Sequence, residues 1–221
     1  MKKIKVVHLA NLDIGLKVHL GNYLCYLRDQ GYQVSAVCPP GSWLTRDTTI
    51  LNGIPVRIFP FPPRIDPRTD LLTLVRLVRY FQSQRFDIVH THTVKPGLLG
   101  RLAAKIAGAP VIVHTVHGFH FYDGMSSGAK LFYIYLEKLG AACCDSILSQ
   151  NTQDIQTAIQ LKICLPERIH YLGNGIDLRR FDPDSIPGES LRALRTELGL
   201  ESGKPVIGFI GRLVVEKGIL D

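Results

Sequence analysis

At 221 residues, 46% apolar and 20% charged, the chain is long enough for one well-filled core and too apolar for a disordered segment. Its 26 Lys and Arg against 19 Asp and Glu leave a net charge of +7, which suits anionic partners such as nucleotide phosphates or an acidic membrane surface. Nucleic acid is not expected, because zinc-finger spacing, aromatic RNA-binding signatures and dense basic runs do not occur. The five cysteines, odd in number and without Cys-x-x-Cys, argue against a disulfide or zinc framework.

Met1–His8 turns directly into a strand pattern, with no leader-like apolar core, and no apolar stretch reaches the ~18–20 residues of a membrane span. The expectation is a cytoplasmic protein, soluble or peripheral at the inner face of a membrane. Ile4–Leu9 reads as a strand, Ala10–Lys17 as a loop, and Val18–Gln30 as a helix with Leu20, Tyr23, Leu24 and Leu27 inward. Gly31 stands where a left-handed cap ends such a helix. Gln33–Cys38 and Val56–Phe59 follow as strands, and Thr69–Ser83 as an amphipathic helix with Leu72, Val75, Leu77, Val78 and Phe81 apolar.

Beyond it, strands at Ile88–Thr91, Val111–Thr115, Ser146–Ser149 and Ile169–Leu172 alternate with helices at Pro96–Ala107, Lys130–Ala142 and Asn151–Leu161. Short strands joined by helices predict an α/β, Rossmann-like parallel sheet with helices on both faces. The composition then turns polar and turn-rich around Phe181–Glu189. The predicted organisation is a first domain over 1–183, a linker and short helix over 184–204, and the first strand and phosphate loop of a second domain over 205–221.

In open α/β sheets ligands bind beyond the carboxyl ends of the strands, so those loops hold the candidates. After the first strand, Asn11–Lys17 is not Gly-x-Gly-x-x-Gly; Gly15 reads either as a close-approach glycine or as an ordinary turn glycine. His90 and His92, two apart in a strand, share a face, so structural, substrate-contact and metal-ligand readings are all open; no Asp, Glu or Cys in the loop completes a metal set. Lys95 reads as a substrate contact or a solvated cation. His117 lies just past a strand end, beside Gly118 and among three aromatics, a setting in which an imidazole serves a sugar-binding cleft as readily as a packing role; His120 follows on the same loop.

Asn174-Gly175-Ile176-Asp177 reads as a turn. The arginines at 64, 68, 76, 79 and 85 lie on and around one helix and suit an anionic lipid surface or a solvated face. Pro205–Ile210 reads as a buried parallel strand that leads into Gly211-Arg212 and Lys217-Gly218. Glycines there let the backbone approach a diphosphate while the two cations face its oxygens. As a lone apolar strand with an open edge, Val206–Ile210 is expected to be poorly packed or misdocked in this chain.

His117–Phe121, Asn174–Asp177 with Arg180-Phe181, and Gly211-Arg212…Lys217-Gly218, in this order, resemble the family 4 glycosyltransferases, retaining enzymes of the GT-B fold. Phe86–His92 and Gly97-Leu98-Leu99-Gly100 resemble the polysaccharide-assembly branch. The resemblance implies that this is the N-terminal, acceptor-side domain of GT-B plus a remnant of the second Rossmann-like domain. It implies a nucleotide-sugar donor, a glycan or lipid-linked acceptor, and no metal or other cofactor.

The resemblance assigns His117 as the catalytic-loop histidine, Arg212 and Lys217 as the pair that binds the donor diphosphate, and Gly15 as the first-loop glycine near the phosphates. Preorganised cations at a leaving diphosphate act most strongly as charge develops. His19, Lys95 and His120 fall on the acceptor side. The family's Glu-x7-Glu element would lie beyond Asp221, so the chain alone is expected to have little or no transferase activity. Two other readings stand beside this one: a dinucleotide-dependent oxidoreductase, which the missing glycine fingerprint opposes, and a non-catalytic acceptor- or membrane-binding fragment.

Overall fold

The computed structural model describes residues 3–11, 15–41, 53–62, 64–122, 124–200 and 204–211. The chain divides into two compact units, Met1–Asn174 and Gly175–Asp221.

The first unit is built on strands β1 (Lys5–Leu9), β2 (Gln33–Cys38), β3 (Val56–Ile58), β4 (Ile88–His92), β5 (Val111–Val116), β6 (Ser146–Ser149) and β7 (Ile169–Tyr171). They pair in parallel in the order β3-β2-β1-β4-β5-β6-β7. Between them run α1 (Gly21–Asp29), entered through a wide π-helical turn over Leu16–Leu20, then α2 (Pro67–Gln84), α3 (Val94–Ala107), α4 (Ser127–Ala142) and α5 (Thr152–Gln160). Near-continuous apolar strands such as Val6-Val7 and Val34–Cys38 require cover on both faces.

One face carries Val7, Leu9, Val89, Ile112, Val116, Ile147 and Ile169 and packs with Leu77 and Phe81 of α2, Leu99 and Ala103 of α3, and Ile134 and Ala141 of α4. The other buries Val34, Ala36 and Cys38 beneath Leu16, Leu20 and Leu24. Helix α3 approaches the sheet closely: a Cβ on Gly97 would stand 2.6 Å from the His114 ring, and one on Gly100 would stand 2.7 Å from the Thr91 methyl.

Element ends are set by local chemistry. Asp66 accepts from the main-chain nitrogens of Arg68 and Thr69 and starts α2, with Pro67 in its first turn. Gly31 (φ +92°) and Gly108 (φ +74°) take left-handed conformations after α1 and α3.

Three expectations are corrected. In α2 the buried line is Thr73, Leu77 and Phe81, spaced four apart, whereas Leu72 and Val75 are exposed because they fall outside the strip that meets the sheet and α3. Tyr23 of α1 is likewise exposed at 43%. In the second unit, α6 (Gly188–Glu197) forms where a short helix is expected, but residues 204–210 make no strand, and Ile207 and Ile210 are fully exposed. A parallel strand exists through its hydrogen-bonded neighbours, and no described residue of this unit supplies one.

Candidate active site

Chain order runs outward from β1 to β3 on one side of the sheet and from β4 to β7 on the other. The loops after β1 and β4 therefore diverge at the topological switch point and leave a crevice at the carboxyl ends of the strands. A cleft of about 440 Å³ opens there, lined by Ala10, Asn11, Gly15, His19, His92, Thr93, His117, Gln150 and Asn174. These residues come from the loops after β1, β4, β5, β6 and β7, so the topology alone assembles them. A second cleft, of about 300 Å³, is lined by Arg85, Asp87 and Gly108–Pro110, before β4 and β5, at the opposite ends of the strands.

Beneath the cleft lies a row of imidazoles. Register pairs His8 of β1 with His90 of β4, and the alternation along β4 puts His92 on the same face. His8, His90 and His92 are buried, with ring centroids 4.3–5.5 Å apart. His8 Nδ1 lies 3.2 Å from His92 Nε2, His92 Nδ1 lies 3.1 Å from His117 Nε2, and His117 Nδ1 lies 2.9 Å from Gln150 Oε1. His90 Nε2 is 2.7 Å from Thr115 Oγ1. On the opposite face His114 Nδ1 meets Thr91 Oγ1 at 2.9 Å, under Gly97.

Burial keeps this group neutral. It holds His8, His92 and His114 well below the usual imidazole pKa and brings His90 to about 4; neighbouring positive charges add to the effect. The permanent charge is that of Arg101 beside His114; for His8 and His92 the secondary cause is the repulsion that a protonated His90 would exert, so charging one ring of the group disfavours charging the next. His117 is the exposed end of the row, yet its inner edge is turned into protein. Desolvation lowers its pKa, the Gln150 bond opposes this, and the nearby His19 lowers it further.

The nitrogens of His8, His90 and His92 come within 4.8 Å of one another, so three neutral imidazoles share one locus. Two of those rings already share a hydrogen bond, and the third bonds Thr115. Thr93, immediately after β4, has φ 63° and ψ 178°, a backbone region that disfavours side chains. Such strain at the rim of a cleft belongs with binding sites.

The residues expected from sequence divide into three groups. His117, His19 and Gly15 come together in the cleft. Gly15 sits at φ −62°, an ordinary helical conformation that does not itself require glycine. Lys95 does not line the cleft: its ammonium binds Asp70 at 2.8 Å and the Arg64 carbonyl at 2.6 Å, tying α3 to α2. His120 packs edge-on against Tyr133 of α4, with ring centroids 4.5 Å apart. Arg212 and Lys217 lie outside the described residues. His8 and Gln150 were not singled out from sequence. Their signal is a polar residue near the carboxyl end of an apolar strand, or one step beyond it.

Residues 15–180 match the family described as Glycosyltransferase Family 4. The chain is 36% identical over 151 residues to the UDP-Gal:alpha-D-GlcNAc-diphosphoundecaprenol alpha-1,3-galactosyltransferase of Escherichia coli, a match covering 68% of this chain and 38% of that protein. It is 28% identical over 225 residues to the capsular polysaccharide biosynthesis glycosyltransferase CapM of Staphylococcus aureus, covering 99% of this chain and 56% of that one. The chain thus spans about half, or less, of the length of these relatives.

Two solved structures share the fold. A glycosyltransferase from Rickettsia africae superposes with a TM-score of 0.68 at 18% identity, over 93% of this chain and 52% of that one. An Anabaena protein in complex with UDP and glucose gives 0.65 at 18% identity, over 89% and 50%. The parallel sheet with helices on both faces is common to them.

Proposed function

We propose, because the chain belongs to glycosyltransferase family 4, that it forms the acceptor-side half of a retaining transferase of polysaccharide assembly. That enzyme moves a sugar from a nucleotide-sugar donor to a glycan or lipid-linked acceptor. The observation that carries this reading is His117, held at the end of β5 in a cleft at the switch point of the sheet, the place where such folds take their ligands.

In this reading His117 contacts the donor sugar, and Gly15 leaves room beside it. Arg212 and Lys217 neutralise the departing diphosphate, which would make a divalent cation unnecessary. His19 serves the acceptor from within the cleft. His120, beyond His117 on the same loop, extends that side. The Escherichia coli relative is named for a diphosphoundecaprenol-linked sugar; a polyprenyl-diphosphate acceptor is the one we would offer first.

A lipid-linked acceptor places the enzyme at a membrane, and α2 is suited to an anionic surface. Ile65, Leu71, Leu72 and Val75 are exposed alongside Arg68, Arg76 and Arg79. Arg57, Arg76 and Arg79 also line a groove of about 560 Å³. No helix among the described residues is long and apolar enough to cross a membrane.

The test is sugar-nucleotide hydrolysis and transfer to a polyprenyl-diphosphate sugar. It compares this 221-residue chain with a longer form carrying a C-terminal nucleotide-binding half. Turnover confined to the longer form, and lost in its His117→Ala variant, supports the reading. Absence of turnover in both forms across UDP- and GDP-sugars overturns it, and favours a non-catalytic binding module if vesicles with anionic lipid still retain the chain.

A further inference from the structure

The histidine row has a direction. A neutral imidazole offers one N–H and one lone pair, so in a chain of such rings each tautomer dictates the next. The links run His8 Nδ1 to His92 Nε2, His92 Nδ1 to His117 Nε2, and His117 Nδ1 to Gln150 Oε1. Gln150 presents a carbonyl oxygen, which only accepts, so His117 must donate from Nδ1. Its Nε2 is then a lone pair and takes the His92 Nδ1–H. His92 Nε2 in turn takes the His8 Nδ1–H.

The chain ends at His8 Nε2, which is buried and has no hydrogen-bond partner. In this direction that atom is a bare lone pair. Run the other way, it would be a buried N–H without an acceptor, the rarer defect in folded proteins, and Gln150 would have to turn its amide nitrogen inward. Both considerations select the same direction.

We propose that His8 and His92 are positioning residues that fix His117 as a neutral hydrogen-bond donor, through Nδ1, toward the cleft. This rests on the reading of the cleft as the reaction site. Because His92 occupies Nε2 from below, the one nitrogen of His117 that faces the cleft carries a proton. Gln150 Oε1 takes that proton in the unliganded protein, and a substrate oxygen with a free lone pair, such as a sugar hydroxyl, takes its place on binding. The cleft therefore selects for an oxygen acceptor at this point. Burial of His8 and His92 supports the arrangement, since neutral rings cannot donate from both nitrogens.

Long-range 1H–15N correlation of the 15N-histidine-labelled 221-residue chain at about pH 7.5 reads the tautomer directly, with no donor or acceptor present. Failure of sugar transfer therefore leaves this result standing, and the reverse also holds. We expect His117 Nδ1 to be pyrrole-like and Nε2 pyridine-like. His92→Leu, with its fold confirmed by circular dichroism, should lose that signature to a mixture of tautomers, and His92→Asn, whose amide donates from a similar place, should restore it. Should His92→Leu fail to fold, His8→Leu serves, with partial loss expected. An Nε2–H or doubly protonated His117 in the wild type overturns the proposal, as does an unchanged tautomer in a folded His92→Leu or His8→Leu.

Discussion

Arg101 Nη2 meets Glu137 Oε2 at 3.0 Å, with the two side chains 1% and 9% exposed, and so ties α3 to α4 through a buried ion pair. Arg101 Nε also donates to the Gly97 carbonyl at 2.9 Å. Gly140 makes room for the guanidinium, since a Cβ there would lie 2.3 Å from its carbon. Removing one partner strands the other without solvent. Glu137→Ala should therefore cost about 3–5 kcal/mol in urea denaturation, while Arg101→Met with Glu137→Leu should cost much less. Equal losses in the single and double variants would show that packing volume, and not charge, sets the penalty.

The close approach of α3 yields a second expectation. Gly97→Ala drives a methyl into the His114 ring, and nothing short of a shift of helix or imidazole relieves it. A loss of about 1–3 kcal/mol is expected in thermal or urea unfolding. The His114 signal should move in an NMR spectrum, since its bond to Thr91 is at stake. Gly108→Ala is the contrast: its surroundings are open, and only its positive φ of 74° opposes the substitution.

Thr93 stores strain where β4 hands over to α3, at φ 63° and ψ 178°. A glycine adopts that conformation freely, so Thr93→Gly should raise stability by about 1 kcal/mol, near the lower end of the strain expected there. The measurement is the urea midpoint. An unchanged or lower midpoint would mean that the Thr93 hydroxyl, which donates to the His92 carbonyl, outweighs the strain.

Acid should unfold the first unit through its histidines. Unfolded, His8, His90, His92 and His114 protonate near pH 6.5; folded, burial keeps His90 neutral down to about 4 and the other three well below 6.5. The unfolded chain thus binds more protons as pH falls below about 6.5, and stability falls with it, at up to about 1.4 kcal/mol per pH unit for each histidine. Above that pH both states are neutral at these positions and the contribution is flat. Urea midpoints measured from about pH 8 to pH 5 should trace this shape, and the His8→Phe variant should show a shallower acid limb. A midpoint independent of pH down to about 5 would show that the rings are solvated.

Strand and helix positions were largely legible because alternation and apolar runs are local: β2 and β6 coincide with the expected residues. The exposed Leu72 and Val75 were not legible, since a helix with apolar residues on more than one side does not reveal which strip its neighbours will cover. The strand expected at 206–210 failed for the same kind of reason, a strand being a property of a pair. In the site, His117 was visible as a histidine just past a strand end. His8 and Gln150 were not, because their partners are 84 and 33 residues away. Lys95 looked like a ligand contact and is held by Asp70, an ion pair set by the packing of α2 on α3.

By itself the amino-acid sequence determined the parallel α/β class, the left-handed cap at Gly31, and the loop that carries His117, since each follows from local patterning and backbone preference. Only the tertiary structure decided which polar groups meet. Parallel register set His8 beside His90, strand order opened the cleft between β1 and β4, and burial removed the charge from the row beneath it. Long-range pairing and desolvation depend on residues far apart in the chain, and they convert a scatter of histidines into one directed line.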